Sequence, residues 1–168
     1  MNSRMNSASR TSPQDDDDST PLDIELRGAR VLVADDDAAM RNLVVSRLVL
    51  QGYRVDEAIS GTDLVQTLTS IAVDAWPLDG VDLMVLDLRM PGLTGLEVIR
   101  RMRAARWAGP VILMTAFPAD DVYAEAQGLG VRVLAKPFPL SHLLETAASL
   151  LVEHLADRDD APRSWWRV

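Results

Sequence analysis

Apolar runs alternate with amphipathic stretches along most of this chain. Short runs rich in β-branched residues are typical of strands that are buried on both faces of a parallel sheet. Between these runs, apolar residues recur every three or four positions, as in helices that cover such a sheet. The pattern predicts strands at Val31–Ala34, Arg54–Ala58, Leu83–Leu86, Val111–Met114 and Val131–Ala135. It predicts helices at Ala38–Gln51, Thr62–Ile71, Leu96–Arg106, Ala119–Gly128 and Ser141–Leu155.

The regular alternation of strands and helices favours an α/β domain with helices on both faces of one sheet. We therefore predict a flavodoxin-like (βα)5 doubly wound parallel sheet with strand order 2-1-3-4-5. In such a sheet, ligands bind at the carboxyl ends of the strands, where the strand order reverses. Here that point lies between the strands that end at Asp35-Asp36 and at Asp87.

Two terminal segments differ from this pattern. Residues 1–28 are rich in Ser, Asn and Asp. They are predicted to be a disordered acidic tail because they contain too few large apolar residues to form a core. The run Asp15–Asp18 in this tail is typical of a solvated segment. Residues 157–168 are predicted to be a polar tail that carries Trp165-Trp166, which leaves 29–156 as the folded domain.

Composition narrows the classes of site and partner. A net charge of -8 and a pI near 4.7 argue against a nucleic-acid-binding surface. The chain has no Cys and 2 His, which excludes thiolate metal sites and disfavours imidazole-rich ones. A hard cation bound by carboxylates remains: magnesium, manganese or calcium. We find no apolar run long enough to span a membrane and no signal peptide, so the expected compartment is the cytoplasm.

Polar residues capable of chemistry follow four of the predicted strands. Acids that meet at one sheet edge repel each other, and a magnesium ion would neutralise them and leave positions for a phosphate. Asp87 could be a metal ligand only, or a nucleophile that becomes an aspartyl phosphate. Each residue alone also fits an ordinary structural role, such as a helix cap or a turn. The set consists of Asp35, Asp36, Asp87, Thr115 and Lys136.

The segments VLVADDD, LDLRMPGLTG, ILMTA and AKPF together resemble the receiver domain of two-component response regulators, over about residues 29–156. The resemblance implies that Asp87 is the phosphoacceptor and that Thr115 and Lys136 assist it. It also implies a cis peptide bond at Lys136-Pro137. The ligands of Mg2+, or of Mn2+ in its place, would be Asp35, Asp36, Asp87 and the backbone carbonyl of Arg89.

The resemblance also implies partners. A sensor histidine kinase or a phosphotransfer protein would donate the phosphoryl group, and Thr115 would move inward. The face built by helix four, strand five and helix five would then rearrange, bind a downstream protein and offer a surface for a homodimer. Such a protein is not an enzyme beyond its own phosphorylation and dephosphorylation. Many receivers have Tyr or Phe three residues before the lysine, whereas this chain has Val133.

Arg89 and Phe117 each lie two residues past a predicted site residue. In the family these positions govern access of water, so this bulky pair is expected to slow loss of the phosphoryl group. Without metal, Arg89 could instead pair with Asp35 or Asp36.

Two other functions compete with this one. In a haloacid-dehalogenase-type phosphatase, Asp35 would be the nucleophile and Asp37 the acid/base. Against that reading, Ala39 stands where that family has Thr or Val, and the chain leaves no room for a cap domain. The third reading is a receiver-like binding module that never takes phosphate, which the presence of Asp87, Thr115 and Lys136 argues against.

Overall fold

The computed structural model describes residues 26–74 and 80–160. Its strands are β1 (Arg30–Ala34), β2 (Arg54–Ala58), β3 (Leu83–Asp87), β4 (Val111–Thr115) and β5 (Arg132–Ala135). Its helices are α1 (Ala38–Leu50), α2 (Gly61–Asp74), α3 (Gly95–Ala104), α4 (Asp120–Gly128) and α5 (Leu140–Asp160). All neighbouring strands are parallel, and their order is β2-β1-β3-β4-β5. The predicted fold class and strand order are confirmed.

The sheet separates two apolar layers, and its central strands contribute to both. In β3, Leu83 and Val85 pack with residues of α1 and α5. The alternate residues Met84 and Leu86 pack with residues of α2, α3 and α4. Every residue of β3 and β4 is buried, as expected for strands covered on both faces. This burial fixes the register, so the strand ends that carry the polar residues lie at one edge.

The observed boundaries differ from the predicted ones mainly at helix ends. Helix α5 continues to Asp160, past the predicted end at Leu155, because a helix does not need an apolar stripe in its last turn. The N-terminal boundary also differs: Leu26, assigned to the tail, is 6% exposed and packs in the core. Residues 1–25 of the predicted tail, residues 75–79 and the Trp165-Trp166 pair lie outside the described residues.

No helix in the two described ranges combines the length and the hydropathy required to cross a bilayer.

Candidate functional site

Three strand ends bring an ammonium group between two carboxylates. Asp35 follows β1, Asp87 ends β3 and Lys136 follows β5. The Lys136 Nζ donates to Asp35 Oδ2 at 2.8 Å and to Asp87 Oδ1 at 2.6 Å. Asp35 and Asp87 are 1% and 7% exposed, so this lysine neutralises two carboxylates that are almost out of contact with water. Residues far apart in sequence thus form one charged cluster.

Asp87 is buried, and each of its carboxylate oxygens accepts a hydrogen bond. Its Oδ2 accepts a hydrogen bond from the backbone N–H of Arg89 at 2.7 Å. Burial raises the pKa of Asp87 above its ordinary value, although the hydrogen bond and the charge of Lys136 oppose that shift. The carboxylate is therefore held in place by two donors, while its charge is less well stabilised than in water.

Lys136 stays protonated in this setting. Burial by itself lowers the pKa of Lys136, but the hydrogen bonds and charges of Asp35 and Asp87 outweigh burial and raise the pKa overall. The backbone N–H of Lys136 donates to the carbonyl of Thr115 at 2.7 Å, which fixes the lysine beside β4. The Lys136-Pro137 peptide is cis, as predicted.

The three consecutive acids after β1 have three different environments. Asp35 accepts from the backbone N–H of Asp37 at 2.9 Å through Oδ1. Asp37 caps α1 by accepting from the N–H groups of Ala39 and Met40. Asp36 is exposed, and its carboxylate has no hydrogen bond or ion pair within residues 26–74 and 80–160. Asp36 is thus the acid of this run that is free to take a ligand.

Thr115 is buried at the end of β4, and its Oγ1 accepts from the backbone N–H of Phe117 at 3.0 Å. A hydroxyl has one hydrogen to donate, and this bond leaves it available. The guanidinium of Arg89 lies 4.4 Å from the centre of the Phe117 ring. In the part of the chain that the structure describes, Arg89 stacks on this ring and does not pair with Asp35 or Asp36.

The residue types at this edge suit a hard divalent cation, because all the candidate ligands are oxygen atoms. Among the described residues, no three Asp, Glu, His or Cys side chains lie close enough together to hold a metal ion. Asp35 and Asp87 share Lys136, and Asp36 points its charge to solvent. A metal ion bound here would therefore require Asp36 to turn toward the buried pair.

Sequence reasoning missed Arg41. Its Nη1 donates to the carbonyl of Asp35 at 2.8 Å, and its Nε lies 3.2 Å from Glu57 Oε2. One sequence signal could have identified it. A cation in the first turn of a helix is unfavourable for the helix macrodipole, so its presence there indicates a compensating contact.

Comparisons with known proteins agree with this geometry. A family model described as the response regulator receiver domain matches residues 31–148. The response regulator MprA of Mycobacterium ulcerans is 35% identical over 138 residues, which cover 80% of this chain and 55% of the relative. This chain thus spans about half the length of the curated relatives that it matches.

Solved structures give the same result. The response regulator TrrA of Thermotoga maritima, in complex with Mg2+-BeF, is 29% identical with a TM-score of 0.61, covering 73% of this chain and 98% of that one. The chemotaxis protein CheY4 of Vibrio cholerae is 28% identical with a TM-score of 0.61, with the same two coverages of 73% and 98%. The chain belongs to the response regulator receiver domains of two-component signalling.

Proposed function

We propose that this chain accepts a phosphoryl group on Asp87 from the phosphohistidine of a sensor histidine kinase or phosphotransfer protein, in a reaction that needs Mg2+. The observation that carries the proposal is the position of Lys136, whose Nζ lies within hydrogen-bond distance of both Asp35 and Asp87. A lysine at this position can pair with the Asp87 carboxylate before the transfer and with a phosphoryl oxygen after it.

In the proposed reaction, a carboxylate oxygen of Asp87 attacks phosphorus and the bond from phosphorus to the donor imidazole nitrogen breaks. The electron pair of that bond stays on the nitrogen, which takes up a proton from solvent, so the products are an aspartyl phosphate and the donor's neutral imidazole. The N–H of Arg89 and the ammonium of Lys136 hold Asp87 in a fixed orientation. Lys136 then pairs with an oxygen of the transferred group, and the free hydroxyl hydrogen of Thr115 is donated to another.

The cation would be held by Asp35, Asp36, Asp87 and the backbone carbonyl of Arg89. When bound, Mg2+, or Mn2+ in its place, supplies positive charge that offsets the carboxylates and the phosphoryl oxygens. The oxygen-only donor set supports this assignment, as does the Thermotoga maritima relative, whose structure contains Mg2+-BeF.

The signal would leave the site through Thr115. Its hydroxyl is bonded to the backbone of Phe117, so an inward movement of Thr115 pulls on the segment that leads into α4. We propose that the face of α4, β5 and α5 then binds a downstream protein or a second copy of this chain. We also propose that this chain binds neither nucleic acid nor a membrane and that it acts in the cytoplasm.

One experiment separates this function from its rivals. The purified chain is incubated with Mg2+ and acetyl phosphate, and the modified residue is mapped by mass spectrometry. A lasting label on Asp87 supports the receiver function, and the Asp87→Asn variant should take none. Label on Asp35 with release of phosphate would support the phosphatase, whereas no label at all would support the binding module.

A further inference from the structure

The turn between β1 and α1 is held by Arg41, which is not among the residues proposed to bind the phosphoryl group or the cation. Arg41, in the first turn of α1, donates to the carbonyl oxygen of Asp35 at 2.8 Å. Its side chain is 13% exposed, and its Nε pairs with Glu57 on β2 at 3.2 Å. The planar guanidinium is therefore held by two acceptors, the Asp35 carbonyl and the Glu57 carboxylate.

These bonds fix the backbone around Asp36. The carbonyl of Asp35 belongs to the peptide unit that precedes Asp36, and Arg41 holds that unit. The N–H of Asp37 belongs to the peptide unit that follows Asp36, and Asp35 Oδ1 holds it at 2.9 Å. The backbone of Asp36 is thus constrained on both sides, although its own carboxylate is exposed and has no partner within the described ranges.

We propose that Arg41 is a positioning residue that holds Asp36 ready to ligate the divalent cation, an inference that rests on the proposed function of the site. A ligand whose backbone is already fixed loses less conformational freedom when it binds, so the cation is bound more tightly. Partners that orient metal ligands in this way change metal affinity by about tenfold or more when they are removed.

The proposal can be tested by whether removing Arg41 weakens or tightens cation binding. A guanidinium close to a cation site repels the cation, so Arg41 acting through charge alone would weaken binding, and its removal would tighten binding. Arg41 acting through position does the opposite, and its removal weakens binding. Glu57 reduces the repulsion by pairing with Arg41, which leaves the positional effect dominant.

The test measures Mg2+ binding to the full chain by isothermal titration calorimetry, with wild type beside Arg41→Gln. We expect the dissociation constant of Arg41→Gln to rise about tenfold. Arg47→Gln is the matched control, because Arg47 is exposed in the last turn of the same helix and its loss changes net charge equally. We expect Arg47→Gln to bind as wild type does.

A second measurement separates an effect of Arg41 on the position of Asp36 from an effect on the stability of the whole domain. With acetyl phosphate, Arg41→Gln should need more Mg2+ for half-maximal labelling of Asp87, yet reach nearly the wild-type rate at saturating Mg2+. If Arg41→Gln does not fold, Arg41→Lys replaces it; a lysine keeps the charge but lacks the planar fork, so weaker binding is again expected.

Equal or tighter Mg2+ binding by a folded Arg41 variant would overturn this inference while leaving the proposed function intact. Absence of both Mg2+ binding and Asp87 labelling in wild type would overturn the two together.

Discussion

Helices α3 and α4 follow neighbouring strands, but they are held very differently at their starts. Helix α3 begins with a complete capping box, in which Thr94 accepts from the N–H of Glu97 and Glu97 accepts from the N–H of Thr94. Helix α4 begins after Ala119, which makes no side-chain cap. Of the 10 residues of α3, five are buried, whereas in the 9-residue α4 only Ala126 is buried.

Two polar contacts from α3 reach the C-terminal part of α4. Arg100 pairs with Glu125, and the Arg103 Nε donates to the carbonyl of Leu129 at 3.0 Å. The helix that follows β3 is thus capped and well buried, whereas the helix that follows β4 lacks a side-chain cap and is bonded to α3 near its C-terminus. Elements with few buried contacts carry conformational change at the lowest cost, so α4 is the element suited to respond. Because β5 has Val133 in place of an aromatic residue, this response does not depend on a ring rotation.

The largest expected effect is a response confined to α4. Phosphorylation of Asp87 should change amide hydrogen exchange in α4 and leave α3 unchanged, because Thr115 is linked to the segment that leads into α4. Hydrogen exchange with and without acetyl phosphate and Mg2+ measures this. In Asp87→Asn the change should vanish completely. An equal change in both helices would show that α3 is not the fixed element.

Two glycines sharpen the contrast through stability. A Cβ at Gly95, the first residue of α3, would lie 2.5 Å from the Asp87 carbonyl oxygen and 2.9 Å from Leu113 Cδ1. We expect Gly95→Ala to lower the free energy of unfolding by about 2 kcal/mol. A Cβ at Gly128 in α4 would meet nothing within 4 Å, so Gly128→Ala should raise it by about 0.5 kcal/mol. Urea unfolding of both variants checks this, and equal losses would contradict it.

Exchanging the caps should reduce the difference between the helices. Thr94→Ala removes the α3 cap and should cost about 1 kcal/mol, while Ala119→Ser adds a cap to α4 and should gain about 0.5 kcal/mol. Hydrogen bonds from the backbone and side chain of Thr94 lower the pKa of Glu97. Stability from a lowered carboxyl pKa is present above the unfolded-state pKa and is lost as pH falls through the folded-state pKa.

The difference in free energy of unfolding between wild type and Thr94→Ala should therefore become smaller as the pH falls, which unfolding measured from pH 7 downward would show. A difference that grows in acid would be inconsistent with this cap.

The smallest expected effect concerns the stack that joins the loops before the two helices. Arg89 precedes α3 and Phe117 precedes α4, and their backbone N–H groups bond to the side chains of Asp87 and Thr115 respectively. Arg89→Asn should speed loss of the phosphoryl group about threefold, because an exposed cation–π contact contributes about 0.5–1 kcal/mol. The decay of labelled Asp87 measures this, with Arg101→Asn, an exposed arginine of α3, as the matched control. An unchanged rate in Arg89→Asn would contradict a shielding role.

Much of the candidate site could be predicted because strand ends are local features. The apolar runs before Asp35, Asp87, Thr115 and Lys136 predict strands, and in a parallel sheet all their carboxyl ends meet at one edge. Asp37 was also predictable as a cap, since it stands directly before an amphipathic helix. The resemblance predicted that Asp35, Asp36 and Asp87 would be metal ligands, and this role of Asp36 stays a prediction.

The sequence by itself determined the order of elements and the chemical groups at the sheet edge, because hydrophobic periodicity and strand-end polarity are read over a few residues. Only the tertiary structure decided that Lys136 lies between two acids, that Arg41 holds the Asp35 carbonyl, and that Arg89 stacks on Phe117. These contacts join long side chains from separate elements. Their partners depend on distances set by the packing of the whole sheet, and no local pattern records those distances.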